Sequence, residues 1–177
     1  KLRNKTQELG KTEGIAEFNS QLKLLNQSVV SFLDLCDTPE KTDQYLTKVM
    51  VQVEELEGRF AEFDEFVLQL TEKRDEVYNA FENRKVQLVE KRNKRANALA
   101  QAADRILGGI KSRVESMEEV EQINGYYAGD LMIDKLRDIV EELGELDDTV
   151  KVDDIQSRLK SIREDAVRQL KDRNELQ

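Results

Sequence analysis

From Val49 to Phe81 the chain reads VMVQVEELEGRFAEFDEFVLQLTEKRDEVYNAF. Large apolar residues fall at Val49, Val53, Leu56, Phe60, Phe63, Val67, Leu70, Val77 and Phe81, in steps of four and three, with Arg74 at the skipped position. This is a heptad seam, and a helix that carries one asks for a partner helix. Nothing in the stretch alternates by two, so it does not read as strand. After Leu88 the next strong seam residue is Leu99, followed by Ala103, Ile106, Ile110, Val114 and Met117, which behaves like a coil with a four-residue stutter. No Pro interrupts positions 40–118. One very long central helix over 39–118, about 118 Å at 1.5 Å per residue, is therefore expected, with Gly58 and the Gly108-Gly109 pair as the points where it would bend or break.

Toward the N-terminus, residues 1–37 read as a first helix with weak points at Gly10 and Gly14. It carries Ile15, Phe18, Leu22, Leu25, Val29, Phe32 and Cys36 on one face. Asp37-Thr38-Pro39-Glu40 combines a helix stop with a restart, because Thr38 can cap and Pro39 suits the first helical position; a reversal is placed there. Toward the C-terminus, Asn124 to Asp130 reads as the second connection, with Asp130 as N-cap of a helix over 131–146. Gly144 to Thr149 breaks the chain again before a last helix over 150–175 carrying Val152, Ile155, Leu159, Ile162, Val167 and Leu170. The expected organisation is thus a first helix over 1–37, the long helix over 39–118, and a C-terminal helical hairpin over 119–177. The first helix should pack on the proximal half of the long one and the hairpin on its distal half, since the apolar stripes otherwise stay wet at about 25 cal/mol per Å². Three helices with reversals suit a spectrin-like repeat, but the absence of Trp and of a second copy counts against it, and no fixed-period repeat is present.

Composition agrees with long helices. Of 177 residues 38% are hydrophobic and 37% charged, aromatic residues make up 6%, and there are one Pro and eight Gly. The fold class expected is all-α, an elongated antiparallel coiled coil or helical bundle with more than about three quarters helix. No 18-residue apolar run or hydrophobic leader occurs, so neither a membrane span nor a secretory signal is expected. The lone Cys36 excludes an internal disulfide and suits a reducing cytosol, and the opening at Lys1 reads as a piece of a longer protein.

Chemistry is scarce. The chain has no His, which removes HExxH zinc sites, imidazole bases and Ser-His or Cys-His pairs together. No GxxxxGK[ST] occurs, and the Gly125 to Gly129 spacing lacks the following Lys and a preceding strand. Acidic clusters at Glu62/Asp64/Glu65, Glu141/Glu142, Asp147/Asp148 and Asp153/Asp154 lack the ligand spacing and turn glycine of a calcium loop and read as solvated faces. No catalytic residue, metal or cofactor is expected in this segment.

One stretch supports a sharper hypothesis. In RKVQLVEKRNKR, residues 84–95, six basic residues stand against the single Glu90, and Arg84, Lys85, Lys91, Arg92 and Arg95 fall within about a third of the helix circumference. The apolar seam is thinnest here, with Leu88 its only large residue, so the stripe could lie open and neutralise DNA phosphates. It has no interleaved aromatics and no base-reading motif. The competing reading is a coil flank paired with acidic residues of the adjacent helix. A net charge of −9 argues against the whole chain binding nucleic acid but leaves a local basic face open.

EGRFAEFDEFV (Glu57 to Val67), EKRDEVYNAFENRKVQLVEKRNKRA (Glu72 to Ala96) and the tail YYAGDLMIDKLRDIVEELGELDDTVKVDDIQSRLKSIREDAVRQLKDRNEL (Tyr126 to Leu176) resemble bacterial coiled-coil DNA repair ATPases. These stretches cover about two-thirds of the chain, and the first 50 residues have no counterpart. Such proteins join helical regions to an AAA-type ATPase module. The resemblance implies a large parent that uses ATP with Mg²⁺ in a DNA context, and no activity for this segment, because the nucleotide-binding motifs have no counterpart here. The functional expectation is a non-catalytic coiled-coil spacer or interaction segment of a large ATPase in the cytoplasm. It would contact a helical partner, a second copy of itself, or DNA through the stripe. The alternative is a purely structural coil with no nucleic-acid role.

Overall fold

The computed structural model describes residues 2–176, with side chains from Thr12 onward. Among the described residues helix takes up 91%, in six segments, and no strand occurs. The fold is all-α. The helices are α1 (Leu2–Leu35), α2 (Pro39–Arg59), α3 (Asp64–Glu115), α4 (Val120–Gly129), α5 (Leu131–Glu145) and α6 (Thr149–Leu176). Among the described residues no helix is long and apolar enough to cross a membrane. The chain divides into two compact units, residues 1–91 and 92–177, each with its own buried core.

In unit 1 the reversal at Thr38 forms as its residues dictate. The Thr38 hydroxyl oxygen accepts from the Lys41 N–H at 3.2 Å and Pro39 occupies the first turn, where its missing N–H costs nothing. The single helix expected over 39–118 does not exist. It is cut at Phe60–Phe63, where the chain turns back and α3 restarts with Asp64 and Glu65 in its first turn, favourably placed at a helix N-terminus. The heptad seam explains the cut: its two halves are each other's partners. Arg74 of α3 reaches Glu57 of α2 at 2.7 Å, and Lys85 reaches Asp43 at 3.1 Å, the antiparallel order of a hairpin. Arg74 at the skipped seam position is therefore an inter-helix ion pair. Closing the turn also gathers Phe18, Phe60, Phe63 and Phe66, with Phe18 stacked on Phe66 at 4.1 Å and edge-on to Phe60 at 5.3 Å. The core uses Phe66 where the seam pointed to Val67, because the turn resets the register. α1 runs antiparallel to α2, with Phe32 stacked on Tyr45 and Glu17 paired to Arg59, and buries Phe18, Leu25 and Cys36. Ile15, expected on that face, stays exposed. Gly10 and Gly14 do not interrupt α1.

Unit 2 repeats this up-down-up course. The second half of α3 runs up, α4 and α5 together run down, and α6 runs up beside α3, as the Arg95–Glu142, Arg158–Asp104 and Tyr127–Leu159 contacts order them. Ala96, Leu99, Ala103, Leu107, Ile110 and Val114 of α3 bury against Ile123, Tyr127, Ile133, Leu136, Leu143, Ile155 and Leu170. Only Asp130 of the connection expected at Asn124–Asp130 lies outside helix, between α4 and α5; the stretch 124–129 is helical. α4 spans it because Ile123 and Tyr127 are anchored in the core, and burial outweighs the weak helix propensity of Gly125 and Gly129. The true connection is Ser116–Glu119, where the Gln122 side chain accepts from the Glu118 and Glu119 N–H groups at 3.0 and 3.2 Å. Asp130 caps α5 through the Met132 N–H at 2.8 Å, as its position implied.

Candidate functional site: the basic stretch of α3

Residues 84–95 lie in α3, and their side chains meet different fates. Arg84 is half-buried in unit 1. Its Nε and Nη2 donate to the carbonyl oxygen of Cys36, at 3.2 and 3.1 Å, just past the last residue of α1. A guanidinium fork there satisfies a carbonyl that has no helical partner and opposes the negative end of the α1 dipole. The same end of α1 is tightened by the Cys36 thiol, which donates to the Phe32 carbonyl at 3.1 Å; burial pushes that thiol's pKa up, making it a poorer nucleophile.

Lys85 bridges to both carboxylate oxygens of Asp43 on α2, and that hydrogen-bonded carboxylate holds its ammonium pKa above the usual lysine range. Arg95 donates to Glu142 of α5 at 2.7 Å within unit 2. Arg92 is half-buried and has a partner in the fold. Lys91 alone of the five is exposed and makes no ion pair or hydrogen bond among the described residues. Leu88, the thin point of the seam, still packs on the unit 1 core, so the stretch is not left bare by its neighbours.

The five cations singled out from spacing are therefore brought onto one helix but not into one ligand-facing surface. Spacing placed them correctly on α3. It could not show that α1, α2 and α5 supply carbonyl and carboxylate partners from residues 36, 43 and 142, up to about 50 positions away. Four uncommitted cations of α3 lie outside the stripe: Lys94, Arg105, Lys111 and Arg113 are exposed and make no ion pair among the described residues. No group of three or more Cys, Asp or Glu side chains suited to a metal ion occurs among the described residues.

A groove between α3 and α6 is lined by Asp104, Lys111, Ser157, Arg158, Ser161 and Asp165, with a volume of about 410 Å³. Its charges pair across it, Arg158 with Asp104, so it serves as an inter-helix seam. No protein-family model, curated protein or solved structure matches the chain.

Proposed function

We propose that the chain is a non-catalytic helical spacer and interaction segment of a larger cytoplasmic protein. The ATPase context suggested by the resemblance lies outside this segment, and the basic stretch works inside the bundle. The observation that carries this reading is the use of Arg84, Lys85 and Arg95 as clamps on α1, α2 and α5. A cation held by a carboxylate of its own fold offers a phosphate less uncompensated charge, and one held by a helix-end carbonyl is oriented toward the bundle.

The test separates clamp from contact. Arg84→Gln should cost about 2 kcal/mol of stability, because a charge-assisted bond to a helix-end carbonyl is lost, while Lys91→Gln should leave the melting temperature unchanged. Replacing Arg84, Lys85, Lys91, Arg92 and Arg95 by Gln should lower the melting temperature yet leave duplex DNA binding, measured at two salt concentrations, the same as wild type. If the stripe held DNA, five phosphate contacts would give the wild type a log–log salt slope of about −4.5. The five-fold variant would flatten it, and the spacer reading would give way to a DNA-contact one.

A further inference from the structure

α3 presents two outward faces of opposite charge. In unit 1, the side of the helix turned away from buried Phe66, Leu70, Val77 and Phe81 carries Glu72, Asp75, Glu76, Glu82 and Glu90, all exposed, and no Lys or Arg lies within about 60° of that outward direction. In unit 2, the side turned away from Leu99, Ala103, Leu107 and Ile110 carries exposed Lys94 and Arg105 on its midline, with exposed Asp104 and Glu115 toward one edge. From 94 to 112 that midline holds no Asp or Glu. In a chain of net charge −9 such an acid-free midline stands out from its surroundings.

We propose that the unit 2 face of α3 docks on the unit 1 face of α3 in a second copy of this chain. The argument is charge complementarity: the cations of one face have no ion pair among the described residues, and neither do Glu72 and Glu82 of the other. Surface shape is compatible. The acidic face bears exposed Leu68 and Val86, while the basic one bears Ala98, Gly108 and Gly109, which leave an approaching helix room. Two midline cations are too few to hold a duplex, whereas a row of carboxylates on a helix matches their spacing along one side of α3. The contact is electrostatic and salt-sensitive, with few apolar groups at its centre.

The full chain would be followed by sedimentation velocity at about 0.01 M and about 1 M salt, where the screening length is about 30 and 3 Å. One variant carries Lys94→Glu and Arg105→Glu; the other carries Glu72→Lys and Glu82→Lys. None of these four side chains bonds within the fold, and circular dichroism checks that helix content is kept, with Lys94→Gln and Arg105→Gln as milder replacements. The wild type should associate at low salt and dissociate at high salt. Each reversed variant alone should sediment as a monomer, and an equimolar mixture of the two should regain the associated species. The proposal is overturned by a wild type that stays monomeric at both salts, by reversed variants that associate as it does, or by a mixture that stays monomeric. A monomeric wild type whose duplex binding is lost on Lys94→Glu with Arg105→Glu would assign the face to nucleic acid instead.

Discussion

Tyr127 donates its hydroxyl to the Leu159 carbonyl at 2.8 Å, tying α4 to the middle of α6, while the Arg163 guanidinium lies 5.5 Å over its ring. Burial pushes its phenol up to about 12, against the opposing Arg163 charge. The folded state thus favours the neutral phenol. That stabilisation is whole below about pH 10, where the unfolded tyrosine is also neutral, and is lost as pH rises toward about 12, with a limiting slope of about 1.4 kcal/mol per pH unit. Tyr127→Phe should cost about 1 kcal/mol at neutral pH and make the alkaline loss shallower, as denaturant melts at pH 8 and 11 would record. Asp147 sits at φ 59° between α5 and α6, where the Asp148 N–H closes back on the Leu143 carbonyl at 3.0 Å. Asp147→Gly should raise stability by up to about 1 kcal/mol, since this left-handed C-terminal position favours glycine. At this scale the sequence was legible where the interaction is local: Thr38 and Asp130 bond two or three residues onward, so their cap roles follow from neighbours alone. Arg84 was not legible in the same way, because the carbonyl it holds lies 48 residues upstream.

The break between α2 and α3 shows where a seam underdetermines an element. Apolar residues in heptad spacing look the same whether one helix faces a foreign partner or two halves face each other, and Phe60-Ala61-Glu62-Phe63 contains neither Pro nor Gly to announce a turn. The legible signal is Gly58, which marks the neighbourhood as a point of bend or break and lies in the last turn of α2. Asp64-Glu65, acids suited to a helix start, and the phenylalanines that a turn could gather are the signals left unread. At Gly125 and Gly129 the error ran the other way: turn residues were helical because Ile123 and Tyr127 needed burying. Gly108 and Gly109 likewise sit within α3, and a Cβ on either would meet nothing within 4 Å. Gly108→Ala and Gly109→Ala should each stabilise the chain by about 1 kcal/mol in denaturant melts, the usual gain inside a helix.

Across the whole chain, two units with the same up-down-up course arise without any repeat in sequence, because either half needs only three amphipathic stretches and two turns to bury its stripes. All-α class and helix content could be read from periodicity; the number of reversals could not, since each depends on which stripe finds which. That count bears on function too, because a seam consumed inside the chain is not offered to a foreign helix, and the clamps of the basic stretch exist only if α2 folds back on α3. The most direct test is the distance between spin labels at Thr47→Cys and Glu82→Cys in a Cys36→Ala background. Both sites are exposed and lie on facing helices of the hairpin. Helix axes about 8–10 Å apart should bring the labels to on the order of 20 Å or less. A separation of about 52 Å, the rise of 35 residues along one uninterrupted helix, would contradict the hairpin and the clamp account built on it.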